Sequence, residues 1–148
     1  MLVTVRPVAS VGELLRTKQM IAAQFPPRRS SHLESLAVLK ERFEENRTLM
    51  LAAELGGAIV GGALAHRAGD AVEVDAIALK PVARRLGIGR QLMEAIESEG
   101  IRLGAQAIFL GGANPENRGF YWRLGFAGRK SLMHKGLPLA SRFAMERR

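Results

Sequence analysis

Two glycines one residue apart, Gly87 and Gly89, stand among three arginines, Arg84, Arg85 and Arg90, where an apolar alternation gives way to helical spacing. Such a stretch suits an anion. Backbone N–H groups at a helix start point into one concavity, no side chain blocks close approach, and the helix dipole presents its positive end. Glycines at a helix start also serve as plain tight turns or allow close helix-to-sheet packing. Just upstream, Glu73 and Asp75 alternate with Val72 and Val74, which predicts both carboxylates on one strand face, shared with Ile77 and Leu79. Carboxylates so placed can take a proton or simply pair with nearby arginines.

Spacing removes the common nucleotide loops. A Walker loop needs Lys then Ser or Thr after its last glycine, and here Arg90 and Gln91 follow Gly89. A dinucleotide loop needs a third glycine at position 92, which is Leu92. What remains is Arg84-x-x-Gly87-x-Gly89. The absence of cysteine excludes disulfides, thiolate metal sites and an acyl-cysteine intermediate. The histidines, His32, His66 and His134, are scattered without metal-ligand spacing, so no metal is expected and they read as surface or strand-end residues. His66 reaches the carboxylates only if its strand flanks that of Glu73.

These residues need a scaffold, and the pattern predicts a mixed α/β one. Residues 2–8 alternate as a strand, and Ser10 with Glu13 forms a capping box for a helix carrying Leu14, Ile21 and Phe25 inward, stopped by Pro26 and Pro27. Ser31 and Glu34 repeat the signature for a second helix with Leu33, Leu36 and Phe43 buried. Strands over 48–55 and 58–66 join at Gly56 and Gly57, a pair suited to a tight hairpin turn. A strand over 71–80 ends at Pro81, and the glycine stretch opens a helix with Ile88, Leu92 and Ile96 on one face. A strand at 106–111 follows. Asn114 as N-cap, Pro115 at the first helical position and Gly125 as C-cap then bound a short helix, and strands near 126–134 and 140–147 complete the order.

At 148 residues, 47% hydrophobic and 24% charged, the chain fits one domain over 1–148. No apolar run is long enough to span a bilayer, and the first residues alternate like a strand where a signal peptide would show a basic patch and an apolar block. A soluble protein is expected, with the cytoplasm as default compartment. The formal charge of +8 favours anionic partners: nucleic acid, acidic lipid or a phosphorylated cofactor. Only Trp122 and Tyr121 offer rings suited to stacking bases, and no basic tail exists, which counts against nucleic acid.

The loop resembles the pyrophosphate loop of the GCN5-related N-acetyltransferase (GNAT) superfamily. A second stretch, residues 114–126, resembles that superfamily's later motif, in which Asn114, Tyr121, Gly125 and Phe126 stand at matching positions and Asn117 replaces the usual small residue. The resemblance covers nearly the whole chain and implies a single-domain α/β fold with a mixed central sheet of six or seven strands and about four helices. It also implies acetyl-CoA as cosubstrate, without metal, and direct acetyl transfer to a primary amine of a small metabolite or peptide in a ternary complex. Pantetheine would bond the backbones of Ile77, Ala78 and Leu79, while Arg84, Arg85, Leu86, Gly87, Ile88, Gly89 and Arg90 hold the pyrophosphate and Asn114 and Tyr121 complete the cofactor site. Tyr121 matches the general acid toward the sulfur, a backbone N–H near Leu79 the donor to the thioester carbonyl, and Glu73 the base of the histone-modifying branch, with Asp75 as second candidate.

By the same resemblance the acceptor site is walled by the last strands and by the loop between the first two helices. In that loop Arg28 and Arg29 suit an acceptor bearing a carboxylate or phosphate, and Glu73 and Asp75 would attract its amine. The resemblance also implies pairing of two copies through the final strands. Two readings from other classes stay open: a non-catalytic acyl-CoA sensor and a basic nucleic-acid binder.

Overall fold

The computed structural model describes residues 3–24, 35–45, 47–111, 118–129 and 132–137. The elements are β1 (Val3–Pro7), α1 (Val11–Ala23), α2 (Leu36–Glu44), β2 (Thr48–Leu55), β3 (Ala58–Ala68), β4 (Ala71–Leu79), a 3-10 turn (Pro81–Ala83), α3 (Ile88–Arg102), β5 (Ala107–Gly111), α4 (Arg118–Arg123), β6 (Ala127–Arg129) and β7 (Leu132–Gly136). Among the described residues the strands form one mixed sheet of seven in the order β1-β2-β3-β4-β5-β7-β6. The β4–β5 pair is parallel and joined through α3, and the other pairs are antiparallel. This is the α/β class the sequence predicts, with four α-helices among the described residues.

The sheet is buried on both faces. One face packs Leu51, Ala63, Val72, Val74 and Ile108 against Ile88, Leu92, Met93 and Ile96 of α3. The other packs Met50, Ala52, Leu64, Ala76 and Ala78 against Leu14, Met20 and Ile21 of α1 and Leu39 of α2. The i, i+4, i+8 spacing of Ile88, Leu92 and Ile96 lays one fully buried stripe along α3.

Local chemistry sets the boundaries. Ser10 caps α1, its hydroxyl accepting from the Glu13 N–H at 3.2 Å, whereas the Glu13 carboxylate turns away to pair with Arg6. Gly56 and Gly57 take φ of 57° and 84°, the two positive values a tight hairpin turn needs. Gly125, at φ 94°, ends α4 while the Gly125 and Phe126 N–H groups bond back to the Trp122 and Tyr121 carbonyls.

Two sequence expectations are corrected. The helix that carries Leu39 and Phe43 is capped by Ser35, whose hydroxyl accepts from the Val38 N–H, and begins at Leu36, so it is not one helix opened at Ser31. Ser31, Leu33 and Glu34 themselves lie outside the described residues. The single strand expected over 126–134 is two short strands, with Arg129 opposite Leu132 in an antiparallel pair. Residues 130–131, which lie between them in the sequence, include no glycine or proline to announce a break. Phe25, Arg28, Arg29, His32, Asn114, Pro115 and the strand expected at 140–147 lie outside the described residues.

Candidate active site

β4 and β5 part company. Their pairing runs from Ala71 opposite Ala107 to Val74 opposite Leu110, and among the described residues β4 then continues to Leu79 alongside β3 only. A gap therefore opens along β4 from Asp75 onward. Which backbone groups face it follows from the ladder. The Lys80 N–H donates to the Val60 carbonyl at 2.8 Å, so Lys80, Ala78 and Ala76 turn their polar groups toward β3, and the alternate residues Leu79 and Ile77 turn theirs into the gap. Of the three pantetheine-binding candidates, Ile77 and Leu79 thus offer N–H and C=O groups to a ligand. Ala78 spends its own on β3.

A β-bulge sits where the gap begins. Leu64 opposes Ala76 while Ala65 opposes Val74, which leaves Asp75 as the extra residue of β4. One extra residue reverses the alternation: Val72 and Val74 share a face with Ile77 and Leu79, and Ala76 and Ala78 point to the other. Glu73 therefore lies opposite Ile77 and Leu79, which corrects the shared face expected from strict alternation. Asp75 shows the bulge in its exposure. The residue as a whole is exposed, yet its side chain retains only 26% of its accessible surface.

Both carboxylates meet a histidine. His66 on β3 is opposite Glu73, its Nδ1 lies 2.7 Å from Asp75 Oδ2, and its Nε2 lies 3.6 Å from Glu73 Oε2. Burial raises the Asp75 carboxyl above its ordinary pKa; the hydrogen bond and charge of His66 pull it back, Glu73 adds to the rise, and the Arg42 charge on α2 opposes it. His66 is the residue sequence reasoning set aside. Its signal was the two-residue turn Gly69-Asp70, from which counting outward places Ala68 opposite Ala71, Arg67 opposite Val72 and His66 opposite Glu73.

At the other end of the gap the chain passes through Pro81–Ala83 into the glycine loop. Arg85 and Gly87 both have left-handed backbone, at φ 65° and 76°, and Gly87 caps α3. Left-handed residues among right-handed ones turn successive N–H groups inward, and the first-turn N–H groups of α3 have no partner within the helix. Arg84, Arg85, Leu86 and Gly87 are exposed while Ile88 anchors the turn in the core. Arg90 is engaged by Glu94 at 2.9 Å. At Gly89 an added Cβ would stand 3.4 Å from Phe120 Cζ and 3.8 Å from Leu79 Cδ1, so this position seats α4 against the loop.

Tyr121, in α4, is 5% exposed and packs edge-on against Phe120 and Phe126, with ring centroids 5.1 Å and 6.0 Å away. Burial raises its hydroxyl above the ordinary 10.0 and keeps it protonated at neutral pH. It belongs to the cluster beneath α3, on the face opposite His66. The His134 side chain and Asn114 lie outside what is described. Among the described residues no cluster of His, Asp and Glu could hold a metal ion, and no helix is long and apolar enough to cross a membrane.

The family model described as acetyltransferase (GNAT) family matches residues 14–126, which span β3, the gap, the loop and Tyr121. The chain belongs to the GNAT family. Solved GNAT-type structures share its fold. The ribosomal-protein-S18-alanine N-acetyltransferase from Escherichia coli superposes with a TM-score of 0.71 at 20% identity, over 94% of this chain and 96% of that one. An aminoglycoside acetyltransferase from an uncultured soil metagenomic sample gives 0.72 at 21% identity, over 94% and 99%. The PaiA N-acetyltransferase from Thermoplasma acidophilum, solved with coenzyme A, gives 0.69 at 18% identity, over 92% and 99%. No curated protein matches. Membership in the GNAT family places the gap and the glycine loop among structures of which at least one holds coenzyme A, and identities this low extend the likeness to the fold alone.

Proposed function

We propose that the protein is an N-acetyltransferase that moves an acetyl group from acetyl-CoA directly to a primary amine of a small metabolite or peptide. The observation that carries this reading is the unpaired edge of β4 beyond Val74 running into the left-handed loop before α3. An extended amide-bearing arm fits beside Ile77 and Leu79 as an added strand, and its pyrophosphate fits the N–H groups between Arg85 and Arg90, near the Arg84 and Arg85 charges. With the pyrophosphate beyond Leu79, the arm runs back along β4 toward Asp75, four residues or roughly 13 Å away. Its reactive end then arrives beside Glu73, Asp75 and His66.

Acetyl-CoA supplies the activated acetyl thioester. The residues of this chain do the rest. The N–H of Ile77, the gap-facing residue nearer that reactive end, donates to the carbonyl oxygen as negative charge develops there, while the Leu79 backbone, about 13 Å from Asp75, holds the arm. Glu73 and Asp75 form the negative end at which an ammonium docks and loses its proton, on the α1 and α2 face. Tyr121 approaches from the α3 face with a protonated hydroxyl that gives its proton to the departing sulfur. The gap is where the two faces meet.

Calorimetric titration with acetyl-CoA, ATP, NAD and a short DNA duplex at physiological salt tests the reading. One-to-one binding of acetyl-CoA alone, followed by free-thiol release with an amine, supports it. Salt-sensitive DNA binding without acetyl-CoA binding overturns it.

A further inference from the structure

An ionised Asp75 carboxylate only accepts hydrogen bonds, so in a neutral His66 ring the hydrogen of the 2.7 Å contact belongs on Nδ1. The other ring nitrogen, Nε2, then presents a lone pair 3.6 Å from the Glu73 carboxylate. Two acceptors side by side are satisfied by a donor that bridges them, and an ammonium has three N–H groups to offer. The His66 and Glu73 side chains retain 23% and 43% of their accessible surface, so the bridging position is open to solvent. Glu73 and Asp75 stand two residues apart on β4, and both carboxylates reach the His66 ring on the neighbouring strand.

We propose that His66 is the proton acceptor of the transfer reaction: Asp75 fixes its Nδ1–H tautomer, Glu73 receives the acceptor ammonium, and Nε2 takes one of its protons. This rests on the acetyltransferase reading and names the base within it. An N–H bond of the ammonium breaks, its electron pair stays on nitrogen to form the new N–C bond, and the proton binds Nε2. The resulting imidazolium lies between two carboxylates and returns its proton to water. Among the described residues the carboxylates that meet the ring are Glu73 and Asp75 on β4, the Arg42 charge on α2 acts on Asp75, and the residue opposite His66 on β2 is the uncharged Thr48.

Two measurements test it. Long-range proton–nitrogen correlation on imidazole-labelled protein, with His66→Gln identifying the signal among three histidines, reads the tautomer directly. The Nδ1–H form in the wild type and in Asp75→Asn, whose amide oxygen still accepts, and its loss in Asp75→Ala, are expected. An Nε2–H form in the wild type overturns the proposal. The pH dependence of kcat/KM is then followed with whichever of spermidine, an aminoglycoside or an alanyl peptide is turned over fastest. His66→Gln is expected to lower kcat/KM roughly 100-fold and flatten its acid limb, with acetyl-CoA affinity within about twofold. A His66→Gln variant that keeps both rate and limb overturns His66 as the base and leaves the acetyltransferase standing. Failure of the wild type to bind acetyl-CoA removes both.

Discussion

Glu73 and Ile77 lie on opposite faces of β4 although they are four residues apart, an even separation that places side chains together in a regular strand. The bulge at Asp75 spends one residue to turn the strand over. It keeps valines under α3 before the bulge and alanines under α1 and α2 after it, while β4 separates from β5 at the same point. Asp75 is thus where fold and chemistry meet, and its ionisation should be felt by both.

The sign of that effect is fixed. Burial raises the folded-state pKa of Asp75 above 3.8, so the folded protein holds this proton to a higher pH than the unfolded chain does. Stability is unaffected well below 3.8 and declines as pH rises through the folded pKa, because the ionised side chain costs more in the fold than in water. Asp75→Asn removes this dependence while its amide still accepts from His66. Urea unfolding at pH 4 and pH 7 is expected to show the wild type losing stability relative to Asp75→Asn over this interval. A loss in the opposite direction would mean that the bond to His66 outweighs burial.

Tyr121→Phe separates an enzyme from a sensor. The ring keeps its contacts with Phe120 and Phe126, so melting temperature and acetyl-CoA affinity are expected to change little. Turnover, measured by thiol release, is expected to fall roughly 100-fold through loss of the proton donor. Unchanged turnover would take Tyr121 out of the reaction.

The sequence made most elements legible because their signals are local. Ser10, the Gly56-Gly57 turn and the C-cap at Gly125 each act over fewer than five residues, and the buried stripe of α3 repeats at a spacing of four. The Asp75 bulge does not, since it is defined by how many residues of β4 face β3, and nothing in the composition of "VEVDAIA" differs from a regular strand. Strict alternation therefore put Ile77 and Leu79 on the face of the carboxylates, although it rightly kept Glu73 and Asp75 together and away from Val72 and Val74. His66 escaped for the related reason that its role depends on hairpin register, which becomes countable only once Gly69-Asp70 is read as the turn. The candidate loop was legible because its glycines, and the left-handed φ at Gly87, are intrinsic to residue type.

Gly62 reports on how tightly α1 is held against the sheet. A Cβ there would stand 2.8 Å from Thr17 Cγ2, 3.2 Å from Ile21 Cδ1 and 3.2 Å from the Leu51 carbonyl oxygen. Gly62→Ala is expected to cost roughly 1–3 kcal/mol by overpacking. Thr17→Ala empties the nearest obstruction, so the double variant should be more stable than the two single losses predict. Urea unfolding of all four proteins gives the coupling, and strict additivity would mean that α1 moves aside without cost.

Gly87 separates backbone shape from side-chain contact in the loop. Its φ is 76° and nothing lies within 4 Å of an added Cβ, so any penalty for Gly87→Ala is conformational. That penalty is expected at about 1–2 kcal/mol, with Gly87→Asn costing less because Asn tolerates the left-handed region. Acetyl-CoA affinity should fall in the same order, since a loop that relaxes out of φ 76° no longer aims its N–H groups at one point. The two variants, compared by urea unfolding and calorimetry, distinguish this from steric exclusion. If both bind acetyl-CoA as the wild type does, the loop holds its ligand through the Arg84 and Arg85 charges instead of through its backbone.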